Sequence, residues 1–434
     1  MTSQVSLTQS SKKHNNRRVS YFIVMIIALS SCYGKLNTAT EMAQYIPSLG
    51  SMLLALSLIA SGAVKHFHRS SVNSILAGSA ITLLALIGSI YSQDIQSCIY
   101  SLAFFLTWVS LLVILQHYTM PQLLRSFAYG AVASVLIYLV ASGFQIKGAL
   151  AVTGNSMTTE DRATGPFLSN FNLIAHTMAA FTILTVLLAP SEKKMGKIIF
   201  YATAAFAFLI MLSTASRGGL VALIFALTIT FFITYRGSIK HILFFFASIF
   251  AAGIFVAIFE SQYIDRFILI MDINSSHRGI DSGFSGRQQL WATVFSQFFT
   301  MNIPFFWGGG FRNAWLSNFV LAVDNGYIVT IAETGFISLV VICSRLGSIL
   351  MKSGKRIRRT PNTMDMVIVG LVTFILIESI VARYFLAIGN PVSLIILFFI
   401  VSGSTGYMTT KRPTKKLKKF LSKPSTVLKD PLAT

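Results

Sequence analysis

Long apolar segments dominate this chain and restrict what it can fold into. Twelve can be located, with approximate cores at 20–36, 45–64, 74–91, 95–115, 123–143, 167–189, 197–215, 218–235, 239–259, 325–345, 364–385 and 388–408. A helix needs about 20 such residues to cross about 30 Å of hydrocarbon. Because apolar and polar residues do not alternate in these segments, a membrane β-barrel is excluded. The pattern predicts an all-α polytopic membrane protein with about 12 transmembrane helices.

The composition agrees with a membrane protein and excludes other classes. Hydrophobic residues make up 54% of the chain and charged residues only 11%, whereas about a quarter of an ordinary soluble domain is charged. A soluble globular domain and a disordered chain are therefore excluded. The net charge of +21 would suggest nucleic acid in a soluble protein. In a membrane protein it is better explained by topology and contact with anionic lipid, so we expect membrane lipid and no nucleic acid as a partner.

The basic residues predict the orientation of the segments. If the N-terminus is cytoplasmic and the segments alternate, 26 of the 35 lysines and arginines are cytoplasmic, six of them in a loop from Arg345 to Arg359. This distribution satisfies the positive-inside rule. The predicted organisation is a cytoplasmic tail at 1–19, transmembrane helices one to nine at 20–259, a large outer loop at 260–324, transmembrane helices ten to twelve at 325–408 and a basic cytoplasmic tail at 409–434.

The basic residues on the outer side are unusual in type. Seven of the nine are arginines, whereas the cytoplasmic set is richer in lysine. The planar fork of arginine suits phosphate and carboxylate groups better than the point charge of lysine does. The outer face is therefore predicted to bind anions. The nine residues are Lys35, Lys147, Arg162, Arg217, Arg266, Arg278, Arg287, Arg312 and Arg383.

The outer loop at 260–324 is much longer than the other connections, and loops of this length usually carry function. Its middle, Arg287 to Thr300, has apolar residues at helical spacing and predicts an amphipathic helix at the membrane surface. A simple interfacial anchor would show the same pattern. Three consecutive glycines follow at 308–310, which allow either a tight turn or close approach of a ligand.

Several polar residues stand at the outer ends of apolar segments. Arg217 precedes two glycines and is either a snorkelling residue or an anion ligand beside exposed backbone amides. Asn170 and Asn172 could cap the sixth segment or bind sugar hydroxyls. His176, one turn further, is predicted to be a buried, hydrogen-bonded histidine rather than a base.

Each of the charged residues near the later segments could have either a structural or a functional role. An arginine at a helix start opposes the helix dipole, so Arg287 is a candidate anion ligand. Asp324 reads naturally as an N-cap, and Glu333 lies within an apolar span, where an ionisable group is costly and usually functional. Glu378 and Arg383 could form a structural ion pair.

Together these motifs resemble a known family. The order of SRGG, GRxxLW, a glycine-rich stretch, DNGY with E-x-G behind it, and E…R…GNP resembles the O-antigen ligase and polymerase superfamily of GT-C-type membrane glycosyltransferases. The upstream RxTGPF…NxN stretch is similar to the same pattern. The resemblance covers roughly Arg162 to Gly403.

The resemblance implies a multi-pass protein of the bacterial inner membrane with its active site facing the periplasm. It implies transfer of a glycan from undecaprenyl diphosphate to a hydroxyl of a glycan or lipid A core acceptor, with inversion and without metal or cofactor. Outer arginines would stabilise the leaving diphosphate. We expect catalytic roles for Asp324, Arg287 and Arg217. Substrate binding is expected at Arg162, Arg312, Asn170, Asn172, Asn325, Glu333 and Arg383.

One departure from the family bears on the reaction. Its ligases typically carry histidine before the asparagine of segment ten, whereas this chain has Asp324. A polymerase that extends a chain of O-antigen or exopolysaccharide repeat units is therefore favoured over a ligase to lipid A core, and Asp324 could act as a base or orient the acceptor. A flippase for lipid-linked oligosaccharide is the alternative from another class, because twelve spans also fit a transporter.

Overall fold

The structure is a computed structural model, and in its described part every regular element is helical. The described residues are 21–29, 45–62, 69–144, 171–235, 287–300, 302–312, 323–383, 385–386 and 389–405. Helix α1 covers 21–29. The other helices are α2 (Ile46–Ala60), α3 (Arg69–Tyr91), α4 (Ile95–His117), α5 (Met120–Ala141), α6 (Phe171–Leu188), α7 (Lys194–Ser213), α8 (Arg217–Tyr235), α9 (Arg287–Phe299), α10 (Gly326–Arg359), α11 (Thr363–Glu378) and α12 (Pro391–Thr405).

Seven of the described helices, α3 to α8 and α10, are long and apolar enough to cross a membrane. They correspond to seven of the twelve predicted segments. Helices α2, α11 and α12 have 15, 16 and 15 residues. At 1.5 Å per residue they span roughly 22 to 24 Å, less than a full hydrocarbon core. The predicted segment at 239–259 lies outside the described residues, so twelve spans remain a prediction.

The short helices end where local geometry interrupts the apolar pattern. Helix α2 stops before Gly62, which has φ of 67°. Helix α12 starts only at Pro391, because the side chain of Asn390 accepts a hydrogen bond from the Val392 amide at 2.8 Å and caps the helix. Apolar character continues past these points in the sequence, which is why hydropathy alone predicts longer segments.

Helices α6, α11 and α12 form the interior of the bundle. In the most apolar stretch of α6, 78% of the residues are buried, against 33% in the corresponding stretches of α7 and α8. Ten consecutive residues of α12, from 392 to 401, are buried. A helix that is apolar on all sides suits such a position. The outer helices instead expose large apolar residues, such as Leu83, Ile198 and Phe225, as expected where lipid chains are the solvent.

Helix α10 is much longer than a membrane crossing. Its 34 residues include the whole predicted loop from Arg345 to Arg359, so the interpretation of this basic run as a loop is wrong. The run stays helical because it is tied to the next helix. The Arg356 guanidinium donates to both carboxylate oxygens of Asp365, with Nη2 to Oδ1 at 2.5 Å. Helices α10 and α11 therefore form an antiparallel pair joined at this end.

Other residues predicted to be cytoplasmic meet at the same end of the bundle. Arg125 near the start of α5 pairs with Glu192 between α6 and α7, with Nε to Oε1 at 2.8 Å. Arg345 of α10 donates to the carbonyl of Asn73 near the start of α3 at 3.2 Å. The bundle therefore has two chemically distinct ends. Its orientation in the membrane stays a prediction from the charge distribution.

Cysteine labelling tests this orientation. In a variant that lacks Cys32, Cys98 and Cys343, we expect a Ser282→Cys substitution to react with an impermeant maleimide added to intact spheroplasts. A Lys352→Cys substitution on the exposed face of α10 should react only after permeabilisation. The reason is that the predicted outer loop carries position 282, while the positive-inside rule keeps the basic run in the cytoplasm. Labelling of position 282 only from the cytoplasmic side would contradict the topology.

Candidate active site

The predicted amphipathic helix of the long loop is present as α9. Its apolar face packs on protein: Val294 and Phe298 are buried in a cluster with Ile303, Val323 and the first turns of α10. Phe299 remains 85% exposed, so only the opposite side is available to a membrane surface. An interfacial anchor alone therefore does not account for α9, which fixes the entry of α10.

Helix α10 is broken at Gly335. This residue has φ of 84° and ψ of 163°, which is non-helical and which side chains rarely allow. The break releases backbone groups that a continuous helix would satisfy internally. Such groups need other partners inside a membrane protein, because an unpaired amide or carbonyl is costly there. The chain supplies these partners from the glycine-rich loop.

The loop at 302–312 pairs with the broken helix through its backbone. The amides of Gly309 and Gly310 donate to the carbonyls of Ala332 and Glu333 at 2.8 and 2.9 Å, and the amide of Phe336 donates to the carbonyl of Phe305 at 2.8 Å. On the other side, the hydroxyl of Ser92 donates to the Gly309 carbonyl at 3.0 Å. The glycines at 308–310 let this loop approach the backbone of α10 and the side chains of Ser89 and Ser97 closely, while the turn itself lies just before them at 305–307.

Replacing Gly335 by alanine should disrupt this pairing. An added Cβ would lie 2.5 Å from the Cα of Trp307, and alanine disfavours the glycine-only backbone conformation by about 1–3 kcal/mol. We expect a clear fall in the thermal midpoint of the purified protein. Gly347→Ala in the same helix is the matched control, because nothing lies within 4 Å of its added Cβ. The control should raise stability by roughly 0.5–1 kcal/mol. Equal midpoints for both variants would contradict the role of the break.

One of the predicted substrate-binding arginines contacts another predicted residue, Glu333. The backbone amide of Arg312 donates to Oε1 of Glu333 at 3.2 Å. Glu333 lies two turns into α10 and keeps some exposed surface. An acidic group in this apolar span thus has a backbone donor from a distant part of the chain.

Arg312 also contacts an aromatic side chain that was not among the predicted site residues. Its guanidinium carbon lies 5.0 Å from the ring centroid of Tyr100, within the range of a cation–π contact. The ring of Tyr45 stacks on Tyr100 with centroids 5.6 Å apart and 16° between the planes. Tyrosines at the outer ends of two apolar segments were the only signal in the sequence, and they are common at any membrane interface.

The structure places Arg217 at the first position of α8, where it is partly buried. The next residue, Gly218, packs so closely on Val381 that an added Cβ would require movement. Val381 lies two residues before Arg383, so the start of α8 adjoins the segment that carries Arg383. Arg287 opens α9, as predicted.

The N-cap of α10 is Asn325, and the interpretation of Asp324 as the cap is wrong. The Oδ1 atom of Asn325 accepts from the amides of Tyr327 and Ile328, both at 3.0 Å. Its Nδ2 donates to the carbonyl of Ile380 at 3.0 Å. Asparagine suits this position because its side-chain amide can accept hydrogen bonds through its oxygen and donate one through its nitrogen at the same time. Asp324 is partly exposed beside it.

A buried pair links α6 with α11. Nδ1 of His176 contacts Oε2 of Glu378, and both residues are buried. The prediction of a buried, hydrogen-bonded His176 is confirmed, whereas the suggested pairing of Glu378 with Arg383 is wrong. Asn172 lies one turn before His176 in the first turn of α6 and is partly buried. Two other predicted residues, Arg162 and Asn170, lie outside the described residues.

Comparison with known proteins agrees with these features. Residues 202–343 match the O-antigen ligase family, and this stretch is about a third of the chain. No curated protein and no solved structure gives a significant match. Six of the ten predicted site residues fall in the matched stretch, namely Arg217, Arg287, Arg312, Asp324, Asn325 and Glu333. Residues 202–343 of this multi-pass membrane protein are therefore similar to the O-antigen ligase family, in agreement with the predicted resemblance to the O-antigen ligase and polymerase superfamily.

Proposed function

We propose that this protein is a bacterial surface-polysaccharide glycosyltransferase that polymerises O-antigen or exopolysaccharide repeat units at the periplasmic face of the inner membrane. The observation that carries the proposal is the docking of the loop at 302–312 on the broken helix α10, which brings Arg312 to Glu333 at the end of the bundle away from the Arg125–Glu192 and Arg356–Asp365 pairs. The start of α8, with Arg217, adjoins the same region. A concentration of arginine at a membrane surface suits a lipid-linked diphosphate.

The proposed reaction is a single displacement at the anomeric carbon of the glycan. An acceptor hydroxyl oxygen forms the new glycosidic bond while the bond from the anomeric carbon to the diphosphate oxygen breaks, which inverts the configuration. The hydroxyl proton passes to Asp324, and undecaprenyl diphosphate leaves with the bonding electron pair. Arg217 and Arg287 stabilise the negative charge that develops on the leaving group. Arg162, Arg312 and Arg383 complete the cationic surface, and Asn170 and Asn172 bind sugar hydroxyls.

Asp324 favours polymerisation over ligation. A ligase of this superfamily would be expected to carry histidine at this position, and the chain has a carboxylate there. Ligation to lipid A core remains the second candidate, because the description of the matched family is O-antigen ligase. The two reactions share the donor and differ in the acceptor, so the same arginines would serve both.

Two experiments test the proposal. Purified protein mixed with undecaprenyl-diphosphate-linked repeat units should release one undecaprenyl diphosphate for each new glycosidic bond and produce longer chains. In a deletion strain, single repeat units on lipid A core would indicate a polymerase. Polymer that stays on undecaprenyl diphosphate, with none on lipid A core, would indicate a ligase. Repeat units that merely accumulate on one side of the membrane, with no bond formed in vitro, would indicate a flippase and overturn the proposal.

A further inference from the structure

Glu333 holds the glycine-rich loop by two of its own groups. Its main-chain carbonyl accepts the amide of Gly310, and its carboxylate accepts the amide of Arg312. Glu333 therefore accepts hydrogen bonds from two loop residues, Gly310 and Arg312. It stands two residues before the break at Gly335, so its carbonyl is available to the loop rather than to the helix.

The backbone of Arg312 needs such support. Arg312 has φ of 51°, in the left-handed region that residues other than glycine seldom adopt. A conformation of this kind persists only where surrounding contacts fix it, and it is common at functional sites. Here the contacts are the Glu333 carboxylate on the amide and the Tyr100 ring under the guanidinium.

The chemistry of Glu333 argues against direct contact with the anionic part of the donor. A carboxylate would itself repel an anionic diphosphate, so direct contact with that part of the donor is unfavourable for Glu333.

We propose that Glu333 is a positioning residue: it fixes the backbone of Arg312, whose guanidinium lies on Tyr100, so that Arg312 meets the anionic diphosphate, and Glu333 does not touch the substrate. This inference rests on the proposed function and assigns Glu333 a different task from direct substrate binding. It makes Glu333 and Arg312 one unit, so that the loss of either should have the same consequence.

Activity measurements on single and double variants test this unit. We expect Glu333→Ala and Arg312→Ala each to lower kcat/KM for the lipid-linked donor by about 100-fold, with the KM for the acceptor unchanged. The double variant should be no worse than Arg312→Ala, because coupled residues give non-additive losses. Glu333→Gln retains an acceptor for the Arg312 amide and should recover activity to within about tenfold of the wild type. Multiplicative losses in the double variant, or Glu333→Gln as inactive as Glu333→Ala, would overturn the proposal.

Hydrogen exchange separates this inference from the proposed function. In Glu333→Ala, the amides of Gly309, Gly310 and Arg312 should exchange faster than in the wild type, and this readout needs no substrate. Asp365→Asn is the matched control: it removes a carboxylate that pairs with an arginine at the opposite end and should leave both loop exchange and donor KM unchanged. Unchanged loop exchange in Glu333→Ala would overturn the positioning role. Faster loop exchange together with a wild type that forms no glycosidic bond would overturn the proposed function alone.

Discussion

Replacing Arg217 or Arg287 by lysine is expected to remove most glycan assembly while the protein is still made and inserted. A hydrogen bond to a charged group contributes roughly 1.5–3 kcal/mol, which corresponds to a loss of about 10- to 150-fold at tenfold per 1.4 kcal/mol. Lysine keeps the charge but cannot reproduce the bidentate fork on phosphate. Glycan length and amount on gels, together with release of undecaprenyl diphosphate by the purified variants, measure the effect.

The control for both variants is Arg125→Lys. Arg125 is an arginine at the other end of the bundle; it pairs with Glu192 and is about half exposed. Exposed ion pairs contribute little to stability, so this variant should assemble glycan as the wild type does. If Arg217→Lys and Arg287→Lys both gave normal glycan length and amount, the assignment of the two arginines to the diphosphate would be refuted.

Asp324→Asn is expected to cause a severe loss of polymerisation at an unchanged protein level. A positioned base typically contributes 10²- to 10⁴-fold in rate, and asparagine cannot accept the proton of the sugar hydroxyl. The purified variant should show this as a fall in kcat for chain extension. Because Asn325 and not Asp324 caps α10, the substitution leaves the cap of this helix in place.

Asn325→Ala provides the contrast for stability. Loss of an N-cap side chain costs typically about 1 kcal/mol, so this variant should melt at a lower temperature than the wild type. Activity of Asp324→Asn within a few-fold of the wild type would show that no base is needed at this position. Departure of the diphosphate would then be fast enough without a base, and Asp324 would at most orient the acceptor.

Hydropathy predicts the long spans well because each depends on its own residues. The segment predicted at 95–115 appears as Ile95–His117 and the one at 218–235 as Arg217–Tyr235. Helix α9 follows from the spacing of Trp291, Val294 and Phe298 in the same way. In each case the apolar period and the length decide the structure without reference to distant parts of the chain.

The arrangement of the site could not be predicted in this way, because it depends on contacts between distant segments. Nothing local distinguishes Gly335 from a glycine tolerated within a helix; the break forms because the loop at 302–312 pairs with the released groups. Asp324 and Asn325 are equally good caps in principle. Asn325 has the additional carbonyl of Ile380 within reach of its amide nitrogen. The partner of Glu378 proved to be His176, about 200 positions earlier in the chain.

The broken helix also constrains how the chain is made. Synthesis proceeds from the N-terminus, so Ser92 and the glycine-rich loop enter the membrane before α10 is complete. A fully regular helix could leave the translocation machinery with its amides and carbonyls satisfied, whereas the break in α10 releases groups at Ala332, Glu333 and Phe336 that the earlier loop satisfies. Because the break forms as these pairs form, α10 is expected to enter the bilayer as a regular helix and to break when the loop docks. Docking of the loop would then complete the fold of α10 after its insertion.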